Sequence, residues 1–272
     1  MAKFLQTLIP LFLVLVLANT ARSQSVTQSF NYTFNDGVKP ATLTYQGNTH
    51  IRADSTYLQL TATRPDGEAV LNNVGRAMHS VPFTFGDMPG WSDADFTTTV
   101  KFFIRPNTGA TAAAEGLAFF IAPVGSQIPS ASFGENLGIY EYIGYTPNLF
   151  AVEFDIYPNP EVDPEGPHVG INFESIRSDT ATIIPEGLVG EEVTADISYV
   201  AATKTITVVV VTAGGRRTEV SKVYDLKSLL QARVQVGLSA STGVFVARHE
   251  VISWDFTITR TAAAAARIRK VA

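Results

Sequence analysis

From position 96 to position 258 the chain repeats one pattern: a short run of β-branched and aromatic residues, then a break at Gly, Pro, Asn or Asp. The runs are FTTTVKFFI (96–104), LAFFIA (117–122), LFAVEFDIY (149–157), HVGINF (168–173), VTADISYV (193–200), TITVVVVT (205–212), VQVGLSA (234–240) and VISWDFTI (251–258). Such residues suit a pleated, half-buried surface. No helical period is sustained between them, and DLKSLL (225–230) allows one short turn at most. Strands without intervening helices pair antiparallel, which predicts an all-β sandwich or barrel. No repeat or linker divides the chain, so one domain over 24–260 is expected.

The two ends differ from this body. Lys3, an apolar stretch over 8–18 and the small residues around Ala21-Arg22-Ser23 have the layout of a secretory signal peptide, residues 1–23. The apolar stretch is shorter than the ~20 residues a membrane span needs, and no later stretch competes with it. Removing 1–23 takes away Lys3 and Arg22 and no acid, so the mature chain is more acidic than the −5 of the full sequence. That charge gives no reason to expect nucleic acid or an anionic membrane as partner. The chain has no cysteine, so in a secreted protein the fold rests on its core or on bound metal. Asn31-Tyr32-Thr33 is the one acceptable Asn-x-Ser/Thr site, which makes Asn31 the candidate for an N-glycan. TAAAAARIRKVA (261–272) reads as a frayed basic tail, with a sorting signal as the alternative.

The chemistry is concentrated in AVEFDIYPNPEVDPEGPH (151–168), in a chain that is only 17% charged. On a strand, Val152, Phe154 and Ile156 share one face and Glu153 and Asp155 the other. Two carboxylates roughly 6.5 Å apart repel, and need a cation, a shared proton or water. The following loop adds Asn159, Asp163 and His168, and four prolines restrict it. Carboxylates with an amide and a carbonyl suit Ca²⁺, and carboxylates with an imidazole suit Mn²⁺ or a similar ion. An acidic loop in water is the competing reading. No Gly-x-Ser-x-Gly turn, phosphate loop or cysteine nucleophile is present, and His50, His79 and His249 read as structural.

The blocks AVEFDIYPN, HVGINFESIRS, VGRAMHSVPF (74–83), EGLAFFIAPVG (115–125), VGLSASTG (236–243) and HEVISWDF (249–256) occur in one order over about 29–259. In this the chain resembles the legume lectin family. The resemblance implies a flattened antiparallel jelly-roll sandwich with Ca²⁺ and a transition ion, usually Mn²⁺, side by side. By position Glu153 and His168 would ligate Mn²⁺, and Asp155 and Asp163 would bridge both ions. Asn159 and the Tyr157 carbonyl would ligate Ca²⁺, and Ser175 would hold a metal-bound water. The stretch from Asn159 to Asp163 is one residue longer than the family spacing, which would let Glu161 intrude.

The resemblance also implies a sugar site made of Glu115, Gly134, Glu135, Tyr157 and Asn159, with a cis peptide before residue 115. Asn159 and Tyr157 match, Tyr157 as the aromatic platform. Glu115 stands where the family has aspartate, and Glu135 where it usually has a second glycine. Glutamate adds about 1.5 Å, which would carry the carboxylate into the place of the sugar hydroxyls unless the backbone retreats. Between Gly243 and His249 the loop is short and apolar, closer to ectodomains of lectin receptor kinases. Its Val244-Phe245-Val246 tip is expected to pack down as core, with a cover over the pocket as the alternative.

The implied function is secreted carbohydrate binding in the apoplast, or alternatively the vacuole, in plant defence or stress. Glycans or glycoproteins are the expected partners, and a homodimer through a sheet edge is compatible with the family. The alternative is a lectin scaffold that binds a protein or a hydrophobic ligand. A remote alternative is a β-glucan hydrolase, since Glu153-Phe154-Asp155 matches half of a Glu-x-Asp-x-Glu strand. The expected proton donor is missing there, because positions 157 and 158 are Tyr and Pro.

Overall fold

A computed structural model describes residues 24–51, 56–184 and 187–262. The expected signal peptide (1–23) and the tail from 263 lie outside the described residues. Two antiparallel sheets face each other. The first runs Arg217–Val223, Thr205–Thr212, Glu192–Val200, Asp95–Pro106, Ala247–Thr261, Leu58–Gln59 and His50–Ile51, and Ser25–Thr33 also pairs with Ala247–Thr261. The second runs Thr180–Ile183, His168–Ser175, Tyr145–Asp155, Gly116–Pro123, Arg233–Ser241, Val74–His79 and Leu43–Gly47, with Phe83–Thr84 also on Arg233–Ser241.

Each of the eight sequence runs falls on one of these strands. Alternation explains the layering. In Asp95–Pro106, Phe96, Thr98, Val100, Phe102 and Ile104 point inward and are buried. Phe119, Ile121, Phe150, Val152 and Phe154 of the opposite sheet meet them in one continuous core. Ring pairs cross the gap, Phe102 to Phe154 at 5.0 Å among them. Trp254 is fully buried, and its Nε1 donates to Thr98 Oγ1 at 3.1 Å. Full burial is worth roughly 1.5–3 kcal/mol for each large apolar side chain, so a core this continuous needs no disulfide. The 225–230 segment makes its one turn as Leu226–Leu229, with the Asp225 carboxylate accepting from the Lys227 amide as an N-cap.

The second sheet is covered on its outer face too. Met78, Phe120, Leu137, Tyr140, Leu149 and Ile176 form a separate apolar cluster there. Arg76 is buried beside it, donating from Nε to the Gly138 carbonyl at 2.7 Å and lying 4.8 Å over the Phe120 ring. The strand Tyr145–Asp155 is therefore buried on both faces from Leu149 onward. Glu153 and Asp155 emerge at the end of that covered face, not in open solvent.

Candidate functional site

Glu153 and Asp155 share one face of their strand as expected, and both are nearly sealed, at 1% and 2% exposure. The return strand sets His168 opposite Asp155 and Gly170 opposite Glu153. A Cβ on Gly170 would lie 2.5 Å from Glu153 Oε1, so glycine makes room for the carboxylate. His168 is fully buried, with Nδ1 3.2 Å from the Gly166 carbonyl. A carbonyl only accepts, so Nδ1 carries a hydrogen, and Nε2 must carry one too when it donates to the acids; a bound ion would take the place of that second proton. Nε2 lies 3.3 Å from Glu153 Oε1 and 4.0 Å from Asp163 Oδ1.

The loop wraps into a turn between Asn159 and Asp163. The amides of Val162 and Asp163 both donate to the Asn159 carbonyl at 3.0 Å, and the Asn159 amide donates to Asp163 Oδ2 at 2.8 Å. Glu161 points to solvent and does not intrude. The Asn159 side chain meets the Tyr157 carbonyl and Asp163 Oδ2, and two orientations are open to it. With nitrogen inward it donates to them at 3.1 and 2.9 Å. With oxygen inward three oxygens converge, an arrangement that suits a hard cation.

The electrostatics agree with that demand for positive charge. Burial first, then the charges of Glu153 and Asp163, holds Asp155 well above the ordinary carboxylate range. Asp163 is also raised, by burial and by Glu153, against hydrogen bonding from Asn159. Burial works to lower His168, but the Glu153 hydrogen bond and the nearby acids outweigh it and raise the ring. As they stand, no three His, Asp or Glu side chains among the described residues close round a single point. The donor types, their burial and an Nε2 turned toward the acids nevertheless fit a pair of divalent ions.

One residue of the cluster differs from expectation. Ser175 Oγ accepts from the Arg177 amide at 3.1 Å. Ser178 instead donates to Glu153 Oε1, and to Asn172 Oδ1 at 3.2 Å. The register shift between Phe173 and Ser175, with Glu174 at φ 58°, redirects the chain. The useful serine is therefore the second in ESIRS.

Beside the cluster is a cavity of about 300 Å³ lined by Glu115, Gly134, Glu135 and Asn159 together with Phe133, Tyr142 and Val244. The Ala114–Glu115 peptide is cis. Glu115 is held by its amide on the Ser241 carbonyl at 3.3 Å, and its carbonyl accepts from Ile156 at 2.9 Å. Its side chain is buried, with 3% exposure. It does not fill the pocket, because it folds toward the next loop. A Cβ on Gly243 would lie 2.5 Å from Glu115 Oε1, so that glycine accommodates the longer acid. Burial, then Glu135 and Asp163, pushes Glu115 up to about 7, with a hydrogen bond from Asn159 opposing.

Three further details depart from expectation. The Gly134 amide donates to the Thr242 carbonyl at 3.2 Å, so it is not the donor offered to a ligand. Tyr157 does not line the cavity, and its ring packs on Phe245 at 5.3 Å. The aromatic walls are Phe133 and Tyr142, which short-range patterning did not single out. The Val244 tip is not core either. It is 77% exposed and forms part of the rim.

The histidines outside the cluster are structural in their contacts. Tyr32 Oη lies 2.5 Å from His79 Nδ1, and fully buried His249 pairs with Thr61 Oγ1 at 3.1 Å.

The family model for the legume lectin domain matches residues 27–271. The chain belongs to the legume lectin family. It is 36% identical over 253 residues to agglutinin-2 of Cladrastis kentukea, covering 90% of this chain and 85% of that protein. It is 37% identical over 227 residues to a lectin of Lathyrus sphaericus, covering 79% and 84%. Peanut lectin, solved with a nine-residue peptide, superposes with a TM-score of 0.78 at 32% identity, over 88% of this chain and all of that one. The sandwich is thus the legume lectin jelly roll. Members of this family bind carbohydrate and are not enzymes, which removes the hydrolase reading. Legume lectins generally bind Ca²⁺ and Mn²⁺.

Proposed function

We propose that this legume lectin is a secreted glycan-binding protein whose pocket is organised by Ca²⁺ and Mn²⁺. One observation carries the reading: Asn159 belongs both to the oxygen cluster with Asp163 and Tyr157 and to the cavity with Glu115. Glu153, Asp155, Asp163 and His168 would hold the transition ion. Asp155, Asp163, Asn159 and the Tyr157 carbonyl would hold Ca²⁺. The ions supply the positive charge that lets buried carboxylates remain ionised. The Gly166 carbonyl fixes the His168 tautomer, and Ser178 steadies Glu153, the outer support such ligands need. Asn159 and Glu115 offer a donor and acceptors to sugar hydroxyls, and Phe133 or Tyr142 offers an apolar wall.

Residues 1–23 are proposed as the secretion signal, and the apoplast as the destination, in defence or stress. Asn31 is exposed on the outer face of Ser25–Thr33, opposite Asp255, which leaves it open to an N-glycan. A glycan array with both ions tests the reading. Binding to a defined glycan, lost on Asn159→Ala in a protein with unchanged circular dichroism, is expected. A blank array beside a full complement of metal would favour a scaffold for other ligands.

A further inference from the structure

We infer that the pocket takes a glycan bearing a free amine, a deacetylated hexosamine unit, in preference to its neutral or N-acetylated form. This rests on the carbohydrate-binding reading above and specifies the ligand of the same site. Two carboxylates, Glu115 and Glu135, line the cavity, and among the described residues no lysine, arginine or histidine lines it with them. Glu115 is 97% removed from solvent, and its Oε2 has no hydrogen-bond partner among the described residues. A buried acceptor of this kind is costly until a donor reaches it.

The position of this acid is built into the fold. Gly243 leaves space that a Cβ would take at 2.5 Å from Oε1, and Gly134 leaves 3.9 Å. The carboxylate therefore sits beneath two loops and beside the pocket floor. Glu135 stands on the short turn Gly134–Asn136 and is exposed at the rim. An ammonium entering between floor and rim brings three donors and a positive charge, where a hydroxyl brings one donor and none. It also relieves the repulsion between the two acids. Phe133 and Tyr142 line the same cavity, and an aromatic ring attracts a cation placed over its face. An acidic sugar is disfavoured by the same argument, since it places a third negative charge against Glu115 and Glu135.

The experiment is an array, with Ca²⁺ and Mn²⁺ present, of matched oligosaccharides in gluco, galacto and manno configuration. Each is printed as free amine, N-acetyl and neutral form, at a pH that keeps the amine protonated. The expected result is tighter binding of the amine form by about tenfold in one configuration, one charge-assisted hydrogen bond replacing a neutral one. Glu135→Gly, a change at the exposed rim, and Glu115→Gln should each reduce that preference severalfold with the melting temperature checked. Neutral or N-acetylated forms bound as tightly as the amine overturn the inference and leave glycan binding standing. A blank across all forms, with metal bound, overturns both.

Discussion

Removing divalent ions should invert the pH dependence of stability. Glu115 is raised from 4.5 to about 7 by burial, then by Glu135 and Asp163. Asp155 is raised well above its usual range, chiefly by burial and then by Glu153 and Asp163. A carboxyl raised on folding binds its proton more tightly in the folded than in the unfolded chain. Its contribution is fully present below the unfolded value and is lost as pH climbs through the folded one. His168, raised as well, acts in the same direction. At about 1.4 kcal/mol per unit, Glu115 alone accounts for roughly 3 kcal/mol. For a domain of this size that is a fall in Tm of about 6–12 °C between about pH 5 and pH 8. With Ca²⁺ and Mn²⁺ present the slope should reverse, because the ligands must lose protons to bind. Scanning calorimetry across this range, with EDTA in one arm and both ions in the other, measures both slopes. A chelated protein whose Tm stays flat or rises with pH would refute the reasoning, as would two arms that coincide.

Three further outcomes follow from the contacts. Gly170→Ala places a Cβ 1.9 Å from Ser178 Oγ and 2.5 Å from Glu153 Oε1; urea unfolding should show a loss of about 1–3 kcal/mol, with reduced Mn²⁺ content by mass spectrometry. Ser178→Ala should weaken Mn²⁺ binding about 10–100-fold by competition with a chelating dye, whereas Ser175→Ala should leave it unchanged. Trp254→Ala removes a fully buried ring and its bond to Thr98; it should cost about 3–5 kcal/mol in denaturant without changing metal content in the folded protein.

The strands that sequence reveals are those whose inward faces are apolar and regular, such as Thr205–Thr212, buried at every second residue. Ser25–Thr33 and Arg217–Val223 are largely exposed, one residue in each being buried, so their few apolar residues give only a short, weak alternation to read. The ligand types of the cluster were equally legible, because strand parity places Glu153 and Asp155 together and the loop is short. What failed was direction. Ser175 and Ser178 are both in the motif, and only the bulge at Glu174 decides which reaches Glu153. Likewise the length of Glu115 implied a blocked pocket, and the room at Gly243, over a hundred positions away, is a tertiary fact.

The pairing of Ser25–Thr33 with Ala247–Thr261, Ser25 opposite Thr261, has a consequence for synthesis. The last strand also pairs with the central Asp95–Pro106. Neither Ser25–Thr33 nor Asp95–Pro106 has that partner until residues 247–261 have left the ribosome. Contacts so distant in sequence close slowly. Through most of translation the nascent chain therefore presents unpaired apolar strand edges, which makes early chaperone engagement a condition of yield.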